Sequence, residues 1–160
     1  MSKFLHLAIY FLSIIGCIKE TQGTKLSSGF YFIDDTKGVE RILEDTQEHF
    51  FISPTAITSI STIASVKTEV IKTKVFKKTE KKYGLRFQLN DQGKKAMRVA
   101  SKKAFEAKQR IALIIDNNLV LAPYMYYEII DGFFFIQIDL PKEEVKAIEK
   151  RIKTAMRIQN

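Results

Sequence analysis

One thiol stands in 160 residues: Cys17, at the end of the stretch FLSIIGC. With no partner cysteine, a disulfide within the chain is excluded, and the fold must be held by its core. A sulfur at the close of a short apolar run is placed for chemistry at a membrane surface. Little else in the chain has the types or spacing for catalysis. His49 is the only histidine beyond residue 16, and a lone imidazole is far more often a surface group than a base or ligand. There is no Cys/His cluster for zinc, no GxSxG to seat a nucleophile and no glycine-rich loop for phosphate. The carboxylate pairs Asp34-Asp35, Glu128/Asp131 and Glu143-Glu144 fall where turns and caps need them. The expectation is a protein without catalytic residues, metal or cofactor. What remains is binding: APYMYYEIIDGFFF, residues 122–135, brings six rings close together. Alternation in a sheet would leave about half of them off the core. Tyr124, Tyr126 and Tyr127 are the candidate binding residues, suited to extended peptide or another protein. The alternative is that these rings only fill the core and the second face of a sheet.

The elements that position them follow from composition and pattern. At 46% hydrophobic and 28% charged the chain reads as globular, and its length suits one domain. Residues 1–16 stand apart. Lys3, then the apolar FLHLAIYFLSII, then Gly16 is the order of a secretory signal, and the run is shorter than the roughly 20 residues of a spanning helix. The polar KETQGTKLSSG follows as a tether over 17–28, leaving 29–160 as a single domain. Removing residues 1–16 takes away one lysine, so 25 basic side chains face 18 acidic ones, a net charge of +7. The lysines gather in KTEVIKTKVFKKTEKK (67–82), KKAMRVASKKAFEAKQR (94–110) and KRIKTAMR (150–157). They are interleaved with apolar positions, as on solvated faces. An exported chain meets little nucleic acid, so the charge suits anionic headgroups or an acidic partner better.

Along the domain, SGFYFID (28–34) reads as a strand and DTKGVERILEDTQ (35–47) as a helix, with Val39, Ile42 and Leu43 at helical spacing. EHFFISPTAI reads as extended. From residue 70 to 78 the pattern has period two, a half-exposed strand. YGLRFQL (83–89) turns Leu85, Phe87 and Leu89 inward. Asn90 or Asp91 caps a helix over 92–107 that faces inward through Met97, Ala100 and Ala104. RIALII and LVLA flank Asp116-Asn117-Asn118, residues that tolerate a tight hairpin turn. After a turn at Asp131-Gly132 comes the strand FFFIQI, then a helix from Pro141 with the stripe Val145, Ile148, Ile152 and Ala155. Two helices on one face of an antiparallel sheet, an α+β two-layer sandwich, is the economical arrangement.

Two stretches carry resemblances. Ile14-Ile15-Gly16-Cys17 resembles the lipobox of bacterial lipoproteins. That resemblance implies a diacylglycerol on the Cys17 sulfur, cleavage just before it, and a lipid-anchored protein of the bacterial envelope, on the periplasmic face or in the outer membrane. Residues 84–152 resemble the head of the first periplasmic domain of SecD, an accessory subunit of the Sec protein-export channel. The matching positions are Asn90 to Gly93, Ile111 to Asp116, Ala122-Pro123, Ile130 to Gly132 and Glu143-Glu144-Val145. The family's Asp-Gly turn is Asp116-Asn117 here, its double glycine is Asp131-Gly132, and Gln137 stands near its later glycine. The resemblance implies a non-catalytic domain that contacts unfolded or exported polypeptide. The membrane spans that couple proton flow to export in SecD have no counterpart in the chain. An alternative is a stand-alone partner-binding lipoprotein, such as an immunity or inhibitor protein.

Overall fold

The computed structural model describes residues 24–34, 36–75 and 78–159, with the side chains of 73–79 left aside. Residues 1–16, expected to be a signal segment, and Cys17 lie outside the described residues. The fold is α+β, with antiparallel sheets and two helices. Its order is β1 (Gly29–Asp34), β2 (Val39–Ile42), β3 (His49–Ser59), a 3-10 turn (Ile60–Thr62), β4 (Ile63–Val75), β5 (Lys78–Leu89), α1 (Asp91–Glu106), β6 (Ile111–Ile115), β7 (Asn118–Leu121), β8 (Phe133–Ile138) and α2 (Lys142–Gln159). From β5 onward this is the expected succession of strand, helix, hairpin, strand and helix.

The strands divide between two sheets. One runs β2-β3-β1-β6-β7, the other β4-β5-β8. The first curls until its outer strands meet. Leu43 bridges Leu119, and the Glu44 N–H donates to the Leu119 carbonyl at 3.3 Å, giving a barrel-like form. Strand β6 and the first half of β1 are therefore buried on both faces. In β6 the side chains of Ile111, Leu113 and Ile115 join the main core. Ala112 and Ile114 point the other way and pack with Tyr31, Ile52 and Leu119 inside the curl. The three-stranded sheet is buried on one face only. Phe87 and Phe134 stack there with centroids 4.9 Å apart, and Phe30 meets both edge-on at 6.0 and 5.9 Å. Such pairs add about 1 kcal/mol beyond the area they bury. Met97, Ala100 and Ala104 of α1 and Val145, Ile152 and Ala155 of α2 close this core, while Ile148 is half-buried.

The helix expected over 35–47 is a correction: this stretch forms a turn, the strand β2 and a second turn. The Asp34 carboxylate accepts from the N–H groups of Thr36 and Lys37 at 3.0 and 3.1 Å, which fixes a turn where a helix would begin. Gly38 follows at φ 140°, a conformation closed to other residues. Val39 and Arg41 then face inward and Glu40 and Ile42 outward, the period of a strand.

One end of the molecule is tied down where the chain enters. Leu26 is buried inside the curl, so the described part of the tether stretch, 24–28, packs onto the fold. The Leu26 N–H donates to Asn117 Oδ1 at 2.9 Å. Arg41 Nε donates to the Asn117 carbonyl at 2.8 Å and its Nη2 to the Thr24 carbonyl at 2.9 Å. The Asp116 N–H donates to Ser28 Oγ at 3.0 Å. Asp116 and Asn117 form the β6–β7 turn at φ 49° and 70°, as a two-residue hairpin of this hand requires.

Candidate binding site

The end of the five-stranded sheet opposite this entry carries the aromatic surface. Past β7 the chain keeps company with the residues before β6: Ile111 N–H donates to the Pro123 carbonyl and Met125 N–H to the Gln109 carbonyl, at 3.1 and 3.2 Å. It then leaves the ladder and runs along α1. The buried Ser101 hydroxyl pins it there, accepting from the Ile129 N–H at 2.8 Å.

Helix α1 ends beside this segment in a left-handed cap. The Lys108 N–H donates to the Phe105 carbonyl and the Gln109 N–H to the Ala104 carbonyl, with Lys108 at φ 53°. That is the Schellman arrangement with lysine in the place glycine usually holds. The turn leaves Phe105 and Lys108 facing the tyrosine segment.

Tyr124 is 47% exposed, Tyr126 76% and Phe105 48%. The two tyrosine rings lie 6.4 Å apart at 46° to one another. With Met125, Lys108 and the α1 end they surround an open, mostly apolar hollow of about 620 Å³. Arg110 holds the ledge from beneath. Its guanidinium sits 4.3 Å from the centre of the Tyr124 ring and 5.3 Å from that of Phe50. It donates to the Ala122 carbonyl at 3.2 Å and lies 3.6 Å from the Glu48 carboxylate. A second hollow of about 340 Å³ adjoins the first through Tyr124 and Lys108, and extends past Arg110 to Phe50 and Asp34. His49 sits at its edge, with Nδ1 2.8 Å from the Glu40 carboxylate.

Tyr127 goes elsewhere. It is 53% exposed and lines neither hollow. The Arg86 guanidinium is held above its ordinary range first by its hydrogen bond to Glu69 and last by the nearby Tyr127 hydroxyl. The fold thus brings Tyr124 and Tyr126 together and sends Tyr127 to another face. The reason is that residues 126–131 form no strand, so period-two alternation does not sort them. Phe133 is exposed, Phe135 half-buried and Phe134 buried, so β8 does alternate. Phe105, Lys108 and Arg110 were missed by sequence reasoning. Phe105 carried a signal, since it falls beside the Met97–Ala100–Ala104 stripe and not on it.

Flat rings, a thioether, a lysine and a half-buried arginine suit contact with apolar or extended groups. Among the described residues no group of three His, Cys, Asp or Glu side chains is placed to hold a metal ion. No helix among them is long and apolar enough to cross a membrane. Comparison of the chain with models of protein families and with curated proteins finds no match in either.

Proposed function

We propose that this chain is a non-catalytic binding domain, tethered to a bacterial envelope by lipid on Cys17 and contacting extended or exported polypeptide through the Tyr124–Tyr126 ledge. On this reading residues 84–152 correspond to the SecD head, with their strands shared between the two sheets, β5 and β8 in one and β6 and β7 in the other. The observation that carries the proposal is the place of the ledge. Two exposed rings stand over an apolar hollow at the end away from Thr24, so a chain anchored through its N-terminus would present them outward. Aromatic ledges accept many sequences because they bind by area and stacking, which suits a polypeptide met in extended form.

A second reading is favoured by Arg110. A tyrosine fixed by stacking and a shared guanidinium is preorganised, and preorganised rings near the centre of an interface suit one tight partner. On that reading the protein is a stand-alone partner-binding lipoprotein of the immunity or inhibitor kind.

The test is titration of the full chain against a reduced, alkylated polypeptide that cannot fold. Weak binding that falls at least ~10-fold in Tyr124→Ser/Tyr126→Ser supports the first reading. No binding, together with one stoichiometric protein recovered from envelope extract, supports the second. For the anchor, Cys17→Ala should move the protein from the membrane to the soluble fraction, and retention on the membrane would reject lipidation.

A further inference from the structure

The lysine-rich stretch 67–82 takes a form its composition did not dictate. It is the hairpin of β4 and β5, and it outruns the rest of its sheet. Strand β8 pairs with β5 from Gln88 only as far as Tyr83, opposite Ile138. The last tie between β4 and α2 is at Thr68, whose N–H and hydroxyl donate to the Glu149 carboxylate at 2.8 and 2.6 Å. Beyond Val70 the two strands pair with each other alone, Ile71 with Lys82, Lys72 with Lys81 and so on to Val75 with Lys78. Five residues from Ile71 to Val75, at about 3.3 Å each, carry the ribbon roughly 16 Å past its support.

Three features of this ribbon point to one kind of partner. Residues 70–82 hold six lysines and one glutamate. Lys72 stands directly opposite Lys81, a like-charge pairing that weakens a ladder. Among the described side chains neither is in an ion pair, whereas nearer the sheet Arg86 bonds Glu69 at 2.7 Å and Lys82 lies 3.5 Å from Asp139. At the ribbon's root Val70 and Ile71 are 47% and 38% exposed, so apolar groups share the surface with the charge. Lysines that serve only to guard a strand edge need no such opposition.

We propose that the β4–β5 ribbon is a contact for anionic lipid headgroups, its lysines meeting phosphates and Val70, on the same face as Lys72 and Lys81, entering the interface. Clustered lysines beside exposed aliphatic groups are what a negatively charged bilayer attracts, independently of any sequence it carries. The inference does not rest on the aromatic ledge or on Cys17.

The test is co-sedimentation of the full chain with phosphatidylcholine vesicles, with and without about one-third phosphatidylglycerol. The anionic lipid should raise binding at least ~10-fold, and salt should remove the increment. Lys72→Glu/Lys81→Glu keeps the like-charge opposition while reversing its sign, so it should fold as before by circular dichroism and lose the increment. Tyr124→Ser/Tyr126→Ser should keep it. Equal binding to both vesicle types, or an increment that survives the lysine reversal, would overturn the proposal. So would salt-sensitive binding to a DNA duplex without any preference for anionic vesicles.

Discussion

The two sheets solve burial differently. In the five-stranded sheet β6 and the first half of β1 have neighbours on both faces, because the sheet curls over one core while its outside presses on another. The three-stranded sheet has one dry face and one wet, and its β4–β5 hairpin runs past the end of β8. The lesson concerns where a small domain keeps its stability and where it keeps its freedom. Strands buried twice over leave no surface for a partner. The singly buried sheet and the loops at the far end of the curl hold the exposed rings and the opposed Lys72 and Lys81.

An alanine scan along one strand of each sheet tests this most strongly. In β6, Leu113→Ala and Ile114→Ala are sequence neighbours facing opposite cores, and each should cost about 2–5 kcal/mol. In β8, Phe134→Ala should cost about 3–5 kcal/mol, while Phe133→Ala, on the wet face, should stay within about 0.5 kcal/mol. Urea denaturation reads all four. A large cost at Phe133, or a small one at either β6 position, would break the contrast.

The tie between α2 and the three-stranded sheet sharpens it at an intermediate scale. Burial pushes the Glu149 carboxyl up, but hydrogen bonds from Lys153 and Thr68 overcome this and hold it below its ordinary value. A carboxyl depressed by folding contributes stability above its unfolded pKa and loses it as pH falls through the folded one. Glu149→Ala should therefore cost about 1–2 kcal/mol at neutral pH, with the deficit shrinking as acid protonates the native carboxyl. Stability measured from neutral pH down to about pH 3 should show the two curves converge.

The smallest effect has the opposite sign. Lys108 holds a left-handed backbone that glycine adopts freely, so Lys108→Gly should gain about 1 kcal/mol. It should also strip one cation from the ledge. A thermal melt showing a gain, with polypeptide binding weakened or unchanged, would place that strain at the binding surface.

Much of the second half was legible in the residues. Leu85, Phe87 and Leu89 alternate inward, Asn90 caps α1 by accepting from the Gly93 N–H at 2.9 Å, and the Asp116-Asn117 turn forms. These are local matters, settled by neighbours a few residues apart. The division into two sheets was not legible, because nothing in GFYFID says that β1 will pair with β6, some eighty residues away. A hint lay in IALII, an unbroken apolar run of the kind that strands buried on both faces require. The stretch 35–47 misled because Ile42 is aliphatic yet 44% exposed, while Arg41 turns inward to Asn117. Of the candidate site, the two tyrosines that meet were readable as rings. Their meeting depended on a helix cap and an arginine far from them in sequence.

The way the chain enters the fold bears on mechanical load. Strand β1 lies between β3 and β6, bonded to both, and follows directly on residues 24–28. A pull on that entry segment, resisted at the far end of the domain, acts along β1 and loads both ladders in shear. Bonds loaded in parallel must fail together, whereas a peeled strand loses them one at a time. A domain hung by this strand would hold its shape under tension that would unzip one hung from an edge.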